Sequence, residues 1–306
     1  SAGVLPAAWT ILSPTPEAGT LGRLETLALP DRTTQPAQWI APQALAVALP
    51  PLAGGQTLAA QLAGPGQPVG TISLERLPNG GFRIDNGILR IENDGTSGNV
   101  FDRFQLGDLL LGSYNPLIWQ QPKDNQWTRA DTFVNSEFLA SGNVLAVDVT
   151  AEHRGGEAIT AVDEAGKMPG AHAAAVRFQI VHRFVVFPGS PYIAARLVRI
   201  RNLDTARPLT INGYFYYLPS AIGGDRAGDV PGGVAANVPN YYLRSTVTAW
   251  YDQEVGARYG VSPLGDGLVA MFWVDQGGGA TPDARVALKP AVKLAPGQGS
   301  TAPAHT

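Results

Sequence analysis

The chain has no cysteine, so disulfides, zinc–thiolate sites and a cysteine nucleophile are excluded together. Charge is scarce as well. Asp, Glu, Lys and Arg make up 15 % of the 306 residues and leave a net charge of −3, which offers no basic field to hold a phosphate backbone. Nucleic acid is therefore not an expected partner. No apolar run reaches the roughly 18–20 residues that cross a bilayer as a helix, so no membrane is expected either. The opening SAGVLPAAWTILSPTPEAG lacks both a charged leader and a continuous apolar stretch, and no signal peptide is expected in it. A Gly-x-Ser-x-Gly elbow, a P-loop and a dinucleotide fingerprint after a strand are all missing, which removes acyl transfer and nucleotide chemistry as leading ideas.

What is present is turn chemistry between short apolar runs. With 36 Gly, 25 Pro and 44 % hydrophobic residues, the composition favours many short strands over long helices, and the expected class is all-β and mainly antiparallel. At this length the chain can bury a substantial core. A thiol-free chain rich in Pro, Ala and Gly suits a periplasmic or secreted setting, with the cytoplasm as the alternative.

Along residues 1–70 apolar runs alternate with proline. Leu45, Val47 and Leu49 repeat with period two and predict a half-buried strand, although the Ala-rich stretch around them also admits a helix. From residue 82 the pattern sharpens. GFRIDNGILRIEN places Phe82 and Ile84 on one face, turns at Asp85-Asn86-Gly87, and resumes with Ile88, Leu89 and Ile91. NDGTSGNVFDRF repeats the device, so a β-meander is expected. Residues 105–135 are less regular. Two long strands follow, and in the first Phe178, Ile180, His182 and Phe184 alternate with Arg177, Gln179, Val181 and Arg183. Further strands are expected in PLTINGYFYYLPS, LRSTVTAWYDQEV and GLVAMFWVD, the first two separated by about 20 residues without periodicity, a length that is usually functional or disordered. Composition shifts near residues 65–80, which predicts a strand-rich N-terminal region over 1–75 and a main β domain over 76–306.

Leu49-Pro50-Pro51-Leu52, Asn86-Gly87-Ile88-Leu89-Arg90-Ile91 and Gly98-Asn99-Val100-Phe101-Asp102-Arg103, in that order, resemble the β-sandwich region of class II α-mannosidase-type glycoside hydrolases. The later pair VRFQIVHRFVVFPGSPYIAARLVRIRN is similar to antiparallel strands of the wider galactose-mutarotase-like supersandwich. The resemblance spans about residues 20–215 and lies in strands and turns. It implies a supersandwich fold and a carbohydrate-active protein. The mannosidase-type catalytic domain, with its metal-binding carboxylates and histidine, has no counterpart in this sequence. Two expectations follow: a catalytic domain or partner chain is missing, or the sandwich acts alone.

Candidate residues divide into two aromatic-polar groups and one histidine. Asp225, Arg226 and Asp229 fall in the aperiodic stretch, between Tyr214, Tyr216 and Tyr217 on one side and Tyr241 and Tyr242 on the other. Aromatic faces stack on the apolar side of a sugar while carboxylates and Arg bond its hydroxyls. Trp250 and Tyr251 are candidates for the same pocket. Trp119, Trp127 and Asp131 form a second cluster, suited to a sugar platform. The resemblance to mutarotase-like enzymes implies proton transfer by a strand histidine, for which His182 is the candidate; its apolar neighbours equally suit a core histidine. Tyr242 with Arg244 would serve a lyase, one removing a proton beside a uronate carboxylate and the other neutralising it. No cofactor is expected; Asn93-Asp94-Gly95 and Asp225 to Asp229 offer oxygens to calcium, but neither has EF-hand spacing. The leading expectation is a glycoside hydrolase or its β region acting on or binding a poly- or oligosaccharide. The alternatives are a lyase or mutarotase-like enzyme and a non-catalytic sugar-binding or structural module.

Overall fold

Period-two sequence becomes three larger antiparallel sheets. The computed structural model describes residues 4–5, 8–12, 23–41, 44–53, 58–120, 126–154, 159–160, 176–217, 227–229, 243–245, 248–252, 257–261, 268–274 and 280–301. Side chains are described at 23–40, 44–51, 58–114, 118, 128–154, 176–213 and 291–299. Among the described residues there is no helix, and every strand pairing is antiparallel.

The first strands are β1 (Val4–Leu5), β2 (Ala8–Leu12), β3 (Leu24–Ala28), β4 (Thr34–Ala41), β5 (Ala44–Leu49), β6 (Leu52–Ala53) and β7 (Gln61–Pro65). Next come β8 (Ser73–Arg76), β9 (Phe82–Asp85), β10 (Leu89–Asn93), β11 (Phe101–Leu106), β12 (Leu109–Gln120) and β13 (Gln126–Arg129). The middle of the chain adds β14 (Thr132–Ala140), β15 (Leu145–His153), β16 (Ile159–Thr160), β17 (Phe178–Val186), β18 (Ile193–Asn202) and β19 (Leu209–Tyr217). The rest are β20 (Ala227–Asp229), β21 (Leu243–Ser245), β22 (Thr248–Asp252), β23 (Ala257–Val261), β24 (Leu268–Val274), β25 (Ala280–Leu294) and β26 (Gly299–Thr301).

The N-terminal sheet has the order β2-β5-β4-β3-β7, so the Ala-rich segment is strand and not helix. The large sheet runs β21-β24-β25-β19-β12-β11-β10-β9-β8, with β13 on β12 and β16 on β13; the central sheet runs β14-β15-β17-β18-β26. Residues 105–135, irregular in sequence, are mostly strand. Pro116 is tolerated inside β12 because it falls between the last pairing with β11, at Tyr114, and the first with β13, at Leu117. One flank of the strand has no partner there among the described residues, so the missing N–H removes no ladder bond on that side.

The large and central sheets face each other. Phe82, Ile84, Leu89, Ile91, Phe101 and Tyr114 from the first meet Val147, Val149, Phe178, Ile180, Phe184 and Ile200 from the second in one buried cluster. The opposite face of the central sheet is covered at one end by the N-terminal sheet, where Ile40, Ala44 and Ala46 pack on Ala146, Val185 and Phe187. On that same face Arg183 grips Asp148 with two bonds, Nε to Oδ1 at 2.7 Å and Nη2 to Oδ2 at 2.9 Å.

Buried asparagines hold the turns. Asn86 donates from Nδ2 to the carbonyls of Phe187 and Ser190, at 2.7 and 2.8 Å, while its Oδ1 accepts from the N–H groups of Ile88 and Leu89. Asn93 bonds the carbonyls of Asn99 and Val100 and accepts from Gly95 N–H. Asn202 bonds the carbonyls of Arg207 and Leu294 and accepts from Asp204 N–H. Asn143 accepts from Val69 N–H and donates to the Ala37 carbonyl, tying the N-terminal sheet and the segment after it to the β14–β15 hairpin. Each satisfies backbone groups that would otherwise be buried without a partner.

Candidate functional site

Register brings the two tryptophans of the aromatic-polar cluster together. Trp119 of β12 and Trp127 of β13 are direct cross-strand partners. Their neighbours Ile118 and Thr128 are also partners, and both are buried. Since successive strand residues alternate between faces, the tryptophan positions lie on the face of the large sheet away from the core. Gly213 of β19 stands opposite Trp119, and Ala287 of β25 opposite Gly213. The row therefore carries two large aromatic residues beside two very small ones.

Past β13 the chain leaves the large sheet for the central one through Ala130 and Asp131. Asp131 N–H bonds the Glu152 carbonyl at 2.8 Å. Its Oδ1 accepts from Thr132 Oγ1 at 2.7 Å and from Arg154 N–H at 3.4 Å, and its Oδ2 lies 3.0 Å from His153 Nδ1. That distance places the carboxylate and the imidazole in direct polar contact. The two side chains differ in access: Asp131 is 39 % exposed and His153 only 3 %, its ring stacked on Phe178 with centroids 5.5 Å apart. Burial pushes the His153 imidazole below its ordinary value, opposed by the Asp131 charge and a bond to the Arg129 backbone. The half-exposed Asp131 carboxylate can accept a bond from a hydroxyl at the surface, with the buried imidazole behind it. Trp127 is four residues from Asp131, at most about 14 Å along extended chain, a span suited to several sugar units.

The glycine turn after β10 braces this corner. A Cβ on Gly98 would stand 2.3 Å from the Ala130 carbonyl and 2.6 Å from Asp131 N, so only glycine allows that approach. The neighbouring Asp102 is consumed locally: Oδ1 accepts from Ser97 Oγ and, at 2.7 Å, Asn99 Nδ2, and Oδ2 accepts from Asp94 N–H at 2.8 Å. Asp94 holds Thr96 through its N–H and hydroxyl, which keeps its own carboxyl below the ordinary range. Among the described residues no group of three or more His, Asp and Glu side chains is gathered as for a metal ion.

His182 lies inside the sandwich, 2 % exposed. Its Nδ1 is 2.9 Å from the Tyr114 hydroxyl of the facing sheet, and complete burial lowers its pKa to about 3. It is therefore neutral across the ordinary pH range, and proton exchange with a substrate would require the sandwich to open. Tyr216 lies in β19, Asp229 in β20, and Trp250 and Tyr251 in β22, where Tyr251 pairs with Ala227 and Trp250 with Gly228. That register puts Asp229 two positions along from the partner of Tyr251. Asp225, Arg226, Tyr241 and Tyr242 lie outside the described residues. The pairing of His153 with Asp131 was not visible in the sequence, since it arises only when β14 folds back on β15.

Comparison with known protein families and with curated proteins gave no match.

Proposed function

We propose that the chain is a carbohydrate-active protein of the glycoside hydrolase type, a β-supersandwich of the galactose-mutarotase-like kind that acts on or binds a poly- or oligosaccharide outside the cytoplasm. The observation that carries the reading is the direct opposition of Trp119 and Trp127 on the outward face of the large sheet. Tryptophan is the residue type best suited to meet the apolar face of a sugar ring. Asp131 and His153 at the adjoining corner supply the polar complement. The resemblance of the Asn86–Ile91 and Gly98–Arg103 strands to the mannosidase-type β region supports the same class. Asp225, Arg226, Asp229, Tyr241 and Tyr242, with Tyr216, Trp250 and Tyr251, are proposed to extend the substrate surface. The reading calls for no cofactor, and its partner is a glycan.

The test is binding of a panel of neutral and acidic oligosaccharides by calorimetry, with reducing-end release followed in parallel. Trp119→Ala and Trp127→Ala are each expected to weaken binding about tenfold or more, as truncation of an aromatic anchor does. Their thermal midpoints should stay near wild type, because both positions lie on the outward face. Wild-type affinity in both variants would overturn the assignment.

A further inference from the structure

We infer that the open end of the central sheet's outward face docks an acidic glycan, its carboxylates paired with Arg154, Arg177, Arg199 and Arg201. The inference rests on the carbohydrate reading above and names the chemical class of the chain that is bound.

Strand register assembles the patch. Arg199 is the partner of Val181 and Arg201 of Gln179, so both arginines share the outward face with Gln179 and lie about 7 Å apart along β18. They do so because of a bulge. Pairing shifts between Val181 and His182, where Leu197 and Arg199 face consecutive residues and Val198 is the extra one. Arg177 precedes Phe178 at the end of β17, and Arg154 follows His153, the partner of Phe178, at the end of β15. All four arginines are exposed. The N-terminal sheet covers the other end of the face, and among the described residues no core cluster covers this one.

Among the described residues the four positive charges outnumber the carboxylates beside them. Glu152 is the carboxylate amid the four, engaged by Gln179 Nε2 at 2.9 Å and by Arg154 Nε at 3.4 Å. Asp131 stands at the rim. Among the described residues Arg177 and Arg199 make no ion pair, and Arg201 Nε reaches the Gly297 carbonyl at 3.4 Å. Four guanidinium groups thus gather on a chain whose net charge is −3. Like charges held together oppose folding unless an anion joins them. The planar guanidinium fork matches a carboxylate with two parallel bonds. Glu152 and Gln179 within the patch suit a ligand that also carries hydroxyl groups, whereas an uninterrupted phosphate backbone would meet the carboxylates of Glu152 and Asp131. The chemistry therefore favours a uronate-bearing glycan over nucleic acid.

The probes are polygalacturonate oligosaccharides, the same oligosaccharides methyl-esterified, single-stranded DNA and poly-glutamate. The full chain is expected to bind the free acid in a salt-sensitive manner and the ester far more weakly. Arg199→Gln/Arg201→Gln should lower affinity for the free acid about tenfold at low salt, and Arg199→Glu/Arg201→Glu more. Both pairs of substitutions are at exposed positions, and a melting temperature at or above that of wild type confirms the fold. Equal binding of acid and ester, wild-type affinity in the variants, or DNA or poly-glutamate bound as tightly as the glycan would each overturn the inference. Binding of neutral glycans through Trp119 and Trp127 without preference for the acid overturns the inference and leaves the carbohydrate reading standing. Binding of no glycan of either kind removes both.

Discussion

Asn86→Ala is expected to lower unfolding free energy by about 3–5 kcal/mol, enough to unfold many domains of ordinary stability. The residue is 2 % exposed and uses both ends of its amide. Nδ2 reaches the carbonyls of Phe187 and Ser190 at 2.7 and 2.8 Å, and Oδ1 receives Ile88 and Leu89 N–H at 3.0 and 2.6 Å. Alanine would leave these groups to find water or remain unpaired, and each buried orphan costs about 1–3 kcal/mol. The backbone shares in the junction, since Gly189 N–H bonds the Asn86 carbonyl at 2.8 Å. The loss should therefore spread from the β9–β10 hairpin to the β17–β18 turn. Urea denaturation checks the magnitude, and hydrogen exchange at Leu89 and Gly189 checks the location. A loss below about 1 kcal/mol would show that solvent readily replaces the amide.

Acid should destabilise the sandwich through His182. Its folded pKa is depressed from 6.5 to about 3 by burial. The unfolded chain takes up a proton as pH falls below 6.5, while the folded chain takes none until about pH 3. The stabilising contribution of the neutral ring is thus complete above pH 6.5 and is lost as pH falls from there toward 3, at up to about 1.4 kcal/mol per pH unit. The comparison that isolates it is the double substitution Tyr114→Phe/His182→Leu, which removes both members of the hydrogen bond between them. Between pH 7 and pH 5 wild type should lose about 2 kcal/mol more than the double variant. Any share from His153 is common to both proteins and cancels. Equal pH slopes would mean that His182 is protonated in the folded state at mildly acidic pH.

Sequence alternation located much of this fold, because a strand's period is a local property. Phe82 and Ile84 are both buried, the turn falls at Asn86-Gly87 with Gly87 at a positive φ of 92°, and Phe178, Ile180, His182 and Phe184 share the core face. The misreadings came where local signals compete with distant partners. Residues 105–135 read as less regular, yet β12 continues through Pro116 because β19 pairs with residues 115–120. By its sequence Ile88 belongs to the next strand, but it is 37 % exposed, since Asn86 Oδ1 holds its N–H in the turn. Asn86 itself looked like a turn residue only; its two carbonyl partners lie 101 and 104 residues away. The same reason hid the corner between Asp131 and His153. Trp119 and Trp127 were legible as residue types suited to sugars, but their opposition depends on register, which sequence spacing alone does not specify.

The extra residue in β18 gives that strand a tolerance that its neighbours lack. Leu197 and Arg199 already face consecutive residues of β17, so a strand shortened by Val198 would join them directly and keep every other pairing in place. A one-residue loss in β17, which pairs without interruption along β15, would instead turn half the strand over and present Arg183 or Gln179 to the core. Length variation among descendants of this chain is thus admissible at one point in the central sheet and closed to the strand beside it.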